Sequence, residues 1–204
     1  MKRYFVTGID TNIGKTVVSA ILTEALHADY FKPIQAGDLD HGDRQAVQAL
    51  ISNSKSKLWP ENFALNEAMS PHAAAELDKI KISAKDIVLP ETDNHLIVEG
   101  AGGLMVPINY TETYLDIMKR VGLEVIVVSK NYLGSINHTL MTIRLLQQAN
   151  VPIKGIIFNG PIQTSSEKVI LEMTGVDYLG RVLEEEQIDS IVISQYAEFF
   201  KKVL

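Results

Sequence analysis

Gly8-Ile9-Asp10-Thr11-Asn12-Ile13-Gly14-Lys15-Thr16 stands between an apolar run, Tyr4-Phe5-Val6-Thr7, and a helical pattern from Lys15 to His27. A loop so placed turns its backbone N–H groups, with the free amides of the helix start, toward one point and makes an anion cradle. In such a cradle Lys15 reaches the outer phosphates of a nucleotide and the Thr16 hydroxyl ligates Mg²⁺. The strict phosphate-loop spacing is missed, since five residues separate Gly8 from Gly14 and Ile9 stands where glycine is usual. An ordinary strand–helix turn is the competing reading; the strand before the loop and the helix after it favour the cradle.

The alternation continues outward. Tyr30–Lys32 precedes a helical pattern over Arg44–Ile51, with Ala46, Val47, Leu50 and Ile51 on one face. His95–Val98 is apolar and ends at Glu99-Gly100. Val125–Val128 leads to a helical pattern from Ser135 to Ala149, Ile153–Phe158 ends at Asn159-Gly160, and Asp177–Leu179 is a last short strand. Near-continuous apolar strands between helices predict an α/β fold of phosphate-loop NTPase type. It is a single domain over residues 1–204, with a mainly parallel sheet flanked by helices. Residues 52–70, with Trp59-Pro60 inside, predict an irregular loop.

The 204 residues are 46% hydrophobic and 22% charged, enough for a real core without staples. The absence of cysteine excludes a disulfide scaffold, a thiolate zinc site, an iron–sulfur cluster and a cysteine nucleophile, and fits a reducing compartment. A net charge of −6 without a basic block argues against nucleic acid or an anionic membrane as partner. No apolar run approaches the roughly 18 residues of a spanning helix, and the opening run is too short for a signal peptide. A cytoplasmic location is expected.

In parallel sheets ligands sit beyond the carboxyl ends of the strands. Those ends offer Gly8–Thr16, Lys32-Pro33, Glu99-Gly100, Lys130 and Asn159. A carboxylate such as Glu99 at the end of a buried strand, followed by Gly100-Ala101-Gly102-Gly103, suits a second Mg²⁺ contact and close backbone approach to a ligand. A solvated turn acid is the alternative. Asp43 reads equally as a third metal-facing oxygen or as the N-cap of the helix at Arg44. Lys32 alone reads as a surface lysine. Ser70-Pro71-His72 reads as a helix start, with serine capping and His72 structural. Ser83-Ala84-Lys85 imitates a guanine-contacting triplet but opens a helical pattern, and no Asn-Lys-x-Asp follows any strand, which rejects a GTPase. Val192, Tyr196, Phe199, Phe200 and Val203 form one face of a C-terminal helix expected to pack on the domain's own sheet.

Together these motifs resemble dethiobiotin synthetase, a biotin-pathway ligase family, over most of the chain. The resemblance rests on Tyr4–Gly8 with Asp10-Thr11 and Gly14-Lys15-Thr16, on Lys32-Pro33 with Gly37, and on Ser70-Pro71-His72. It also rests on Val98–Gly103 with Pro107, on Leu133-Gly134-x-Ile136-Asn137-His138, and on Asn159. It implies ATP- and Mg²⁺-dependent ring closure of 7,8-diaminononanoate with CO₂, through a carbamate and a mixed anhydride, to dethiobiotin, ADP and phosphate. By motif, Lys32 and Lys15 would be catalytic. Asn12, Ile13, Gly14, Lys15, Thr16, Val17, Gly100, Ala101 and Gly102 would surround the nucleotide, with Asn159 facing adenine. Thr16, Asp43 and Glu99 would hold the metal. Thr11, Lys32, Gly134, Ser135, Ile136 and Asn137 would meet the substrate, the last four from across a homodimer interface. The chain departs from the family pattern at Asn12, at Ala36, where a hydroxyl residue is usual, and at Leu183-Glu184-Glu185, where an apolar proline-containing segment is usual.

Two rivals share the phosphate loop. A partition- or cell-division-type switch ATPase would carry a lysine near the start of the phosphate loop, where this chain has Ile9-Asp10. A non-catalytic nucleotide-binding module would keep the loop without substrate-dependent turnover.

Overall fold

β1 (Arg3–Gly8) forms the middle of the computed structural model, which describes residues 1–204. The strands that follow are β2 (Asp29–Phe31), β3 (Ile34–Ala36), β4 (Leu58–Trp59), β5 (Phe63–Leu65), β6 (Leu96–Gly103), β7 (Glu124–Lys130), β8 (Ile153–Asn159) and β9 (Tyr178–Val182). Seven of them form one sheet in the order β4-β2-β6-β1-β7-β8-β9, and β3 pairs with β5 in a small second sheet. Every pairing is parallel. The crossovers are made by α1 (Lys15–Leu26), α2 (Asp43–Leu50), α3 (Pro71–Leu77), α4 (Tyr114–Val121), α5 (Ser135–Gln148) and α6 (Thr164–Thr174), and α7 (Ser190–Val203) closes the chain.

Consecutive residues of β1, β6, β7 and β8 are buried, among them Phe5, Val6, Ile97, Val98, Val125–Val128 and Ile156–Phe158. Alternate side chains of a strand point to opposite faces, so such runs require helices on both sides of the sheet. β1 lies between β6 and β7. The chain reaches β2 on one side of it and β7, β8 and β9 on the other, so the strand order reverses at the carboxyl end of β1. That reversal is where α/β sheets open a ligand crevice, and Gly8–Thr16 lies in it.

The structure corrects the expectations in four places. Residues 52–70 are not structureless. β4 extends the main sheet beside β2, and β5 pairs with β3; strands of two and three residues are too short to show a period. β6 does not stop before its glycines but continues through Gly103, its register against β1 shifting between Val6 and Gly8. Ser70 is the N-cap residue of α3, but its hydroxyl makes no cap bond and instead meets His72 Nδ1 at 2.9 Å, and His72 packs edge-on against Tyr110. α7 packs chiefly on α1 and also on β9, through Ile193, Ala197 and Phe200, while Phe199 and Val203 are exposed. No helix is long and apolar enough to cross a membrane.

Candidate active site

The cradle is shaped by backbone conformation. Gly14 caps α1 at φ 90°, and Asn12 is also left-handed at φ 56°. Asn159, at the end of β8, donates from Nδ2 to the Ile13 carbonyl at 2.8 Å and braces the loop from behind. A Cβ on Gly14 would come within 2.2 Å of that same nitrogen, so only glycine fits both the dihedral and the space. Lys15 folds back over the loop and donates to the Asp10 carbonyl at 2.9 Å. Burial draws its ammonium down to about 8, against the opposing pull of Glu99 and Asp43.

Beside the cradle, four polar side chains from four segments converge. Thr16, at the start of α1, has its hydroxyl oxygen 2.6 Å from Asp43 Oδ1 and 2.9 Å from Glu99 Oε1. Lys32, directly after β2, is ion-paired with Asp43 Oδ2 and lies 3.6 Å from Glu99 Oε1. Lys32 is 4% exposed and Glu99 is wholly buried. Burial alone would favour a neutral Lys32 amine, but the two carboxylates outweigh it and hold the ammonium above its ordinary range. Burial would likewise raise the Asp43 carboxyl; Lys32 and the Thr16 hydroxyl hold it below the usual carboxylate value.

Asp43 is the first residue of α2 and Gly42 is its N-cap, so the capping alternative for this carboxylate is excluded. The α2 amide at Asp43 is served by Gln35 Oε1 instead, at 3.4 Å. One hydroxyl proton cannot serve both carboxylates that crowd Thr16. The surplus of hard oxygen acceptors suits a divalent cation that takes one or two carboxylates and completes its shell with phosphate and water. No cage of three or more acidic or imidazole groups is present, as such a phosphate-completed site requires none.

Glycines of β6 run alongside the loop. Gly8 is in register with Gly103, and a Cβ on Gly102 (φ 60°) would meet Val106 at 2.7 Å and Thr11 Oγ1 at 3.6 Å. Val17, Lys130, Asn159, Gly160, Val182, Leu183, Glu184, Glu185 and Ile188 line a cavity of about 160 Å³ on the α1 side of the cradle. Tyr196 of α7 meets two of these residues: its hydroxyl accepts from the Leu183 amide at 3.0 Å and donates to Glu185. A larger groove of about 700 Å³, between α3 and residues 79–86, shares no residue with this cluster.

Gly134, Ser135, Ile136 and Asn137 form the start of another helix, α5. Gly134 caps α5 at φ 100° with no side-chain cap, Ser135 is buried as its first residue, and Leu133 is fully exposed. Lys32 makes its hydrogen bond and ion pairs to Asp43 and Glu99, and none to this helix start.

Two participants were invisible as such in the sequence. Gln35 reads only as a polar residue of a short strand. Tyr30, fully buried on β2, donates its hydroxyl to Glu99 Oε2 at 3.0 Å. Burial and the neighbouring Glu99 keep that hydroxyl protonated far above the ordinary phenol range. A tyrosine in an apolar strand reads as core, and no spacing rule separates the two roles.

The chain is similar to known proteins over nearly its whole length. A family described as AAA domain matches residues 2–191. The ATP-dependent dethiobiotin synthetase BioD of Christiangramia forsetii is 51% identical over 203 residues, covering 100% of this chain and 98% of the relative. That of Cytophaga hutchinsonii is 49% identical, covering 97% and 96%. Among solved structures, the cell division ATPase MinD of Pyrococcus furiosus is similar at a TM-score of 0.64 and 13% identity, with full coverage of both chains. A plasmid partition protein from Borrelia burgdorferi bound to AMPPNP follows at 0.60 and 12%, covering 99% and 97%. At such identities these two likenesses carry the fold alone.

Proposed function

The chain belongs to the ATP-dependent dethiobiotin synthetase family and is an ATP-dependent enzyme; on that premise we propose how its residues divide the work of closing 7,8-diaminononanoate with CO₂ into dethiobiotin. One substrate amine attacks CO₂ and forms a carbamate. A carbamate oxygen attacks the γ-phosphorus of ATP, and ADP leaves. The second amine attacks the carbon of the resulting carbamic–phosphoric anhydride, phosphate leaves, and the cyclic urea closes. The substrate brings both nucleophiles, so the protein has to supply alignment and positive charge at the carbamate and at the transferring phosphoryl group.

Lys15 and the amides of Asn12–Val17 hold the β- and γ-phosphates, with Gly100, Ala101 and Gly102 close against them. Lys32 serves the carbamate and the γ-phosphoryl oxygens, and Thr11 meets the substrate. Thr16, Asp43 and Glu99 would hold Mg²⁺, whose part is to neutralise charge between the phosphates. The cavity between Val17, Asn159 and Leu183–Glu185 receives the adenine. The observation that carries this assignment is the convergence of Lys15, Thr16, Lys32, Asp43 and Glu99 at one point beyond the sheet. The substrate's carboxylate tail fits the amides at Gly134–Asn137 of a second copy, which makes the working unit a twofold homodimer. The location that fits this chemistry is the cytoplasm.

Phosphate release measured with and without the diamine tests the reading. Release should depend on both the diamine and dissolved CO₂; diamine-independent release at the full rate would favour a switch ATPase.

A further inference from the structure

Glu99 and Tyr30 stand on neighbouring parallel strands, where Tyr30 is paired with Ile97. Residues two apart on a strand share a face, so Glu99 projects to the same side as Ile97 and lies one diagonal step from Tyr30. The tyrosine ring spans that step and its hydroxyl reaches Glu99 Oε2 at 3.0 Å. The other oxygen, Oε1, is the one near Thr16 Oγ1 and Lys32 Nζ. The two carboxylate oxygens therefore face different partners: one looks into the reaction cluster and the other is tied to the sheet.

We propose that Tyr30 is a positioning residue for the divalent cation: by holding Glu99 Oε2, it fixes the carboxylate so that Oε1 alone faces Thr16 and the phosphates. This rests on the assignment of Glu99 to the metal under the proposed function. Without the hydroxyl, Oε2 is a buried carboxylate oxygen with no donor, and the group is free to turn both oxygens toward Lys32. Such a turn strengthens the ion pair and withdraws Glu99 from the cation. The ring gives the hydroxyl its reach but takes no part itself, so Tyr30→Phe removes the one interaction and leaves the packing.

Partners of this kind commonly change metal affinity by about 10–100-fold when removed. The test is Mn²⁺ binding, followed by electron paramagnetic resonance, in the presence of a non-hydrolysable ATP analogue and without diamine. The readout therefore does not depend on which reaction the enzyme performs. Tyr30→Phe should weaken Mn²⁺ by roughly tenfold and leave binding of the metal-free nucleotide unchanged. In a Glu99→Gln background the same substitution should add no further loss, because its effect passes through the carboxylate. Mn²⁺ affinity of Tyr30→Phe within twofold of the parent would overturn the proposal. So would an equal loss in the Glu99→Gln background, which would mark a general structural effect. Failure of diamine-dependent turnover with these Mn²⁺ results intact would instead overturn the reaction assigned above.

Discussion

Gly14 and Gly134 occupy equivalent positions in two strand–helix junctions, and the molecule finishes them differently. Each caps a helix in a left-handed conformation, at φ 90° and φ 100°, and neither helix has a side-chain cap. At Gly14 the surroundings are complete within one chain: Asn159 braces the loop, Lys15 folds over it, and a Cβ would meet Asn159 at 2.2 Å. At Gly134 a Cβ would meet nothing within 4 Å, and Leu133 before it is fully exposed. Free amides at a helix start need a partner. On the proposed function the first start grips its ligand within one chain, whereas the second offers its donors to a group held by another. The proposed homodimer supplies it, by carrying the substrate's tail from one subunit's Lys32 to the other's Gly134–Asn137.

The sharpest way to break this comparison uses two inactive variants. Lys32→Ala should lower turnover by about 3–4 kcal/mol of barrier, the usual cost of one charge-stabilising donor, and leave ATP affinity nearly intact. Ser135→Trp should block the second helix start and abolish turnover while ATP still binds. Co-refolded heterodimers should regain one intact site and up to about half the parent activity, by symmetry. Confirmed heterodimers without recovery would place both groups in one chain and sink the shared site.

A smaller effect separates the two glycines themselves. Gly134→Ala meets only backbone strain and should cost about 1–2 kcal/mol of stability. Gly14→Ala adds the displacement of the Asn159 amide from the Ile13 carbonyl and should cost about 2–4 kcal/mol. Urea unfolding of the two variants reads the difference. Equal losses would mean that Asn159 does not brace the loop.

How much of this was legible in the sequence follows from the range of each signal. The cradle was, because strand, glycines, lysine and threonine fall within one short stretch and each has a local reason. The sheet was, because strands buried on both faces write themselves as apolar runs. Asp43 was ambiguous, since an acid at a helix start suits a cap and a metal site alike; only the position of Thr16 and Lys32 in space decides. β4 and β5 were missed because two- and three-residue strands owe their pairing to neighbours distant in the chain. Tyr30 was missed for the same reason: its meaning lies in a carboxylate 69 positions away. On α7 the apolar pattern points one step around the helix from the buried stripe, because Phe199 and Val203 are as apolar as the residues that do pack.

On the proposed function, ATP turnover closes a ring on a substrate that carries both nucleophiles. The most direct measurement supplies ATP, Mg²⁺, 7,8-diaminononanoate and ¹³C-labelled bicarbonate, and follows ADP and product together by mass spectrometry. Dethiobiotin should carry the label in its ring carbonyl, form in step with ADP and be absent when the diamine is left out. ADP formed at the full rate without diamine, or with diamine but no labelled cyclic urea, would contradict the proposed function.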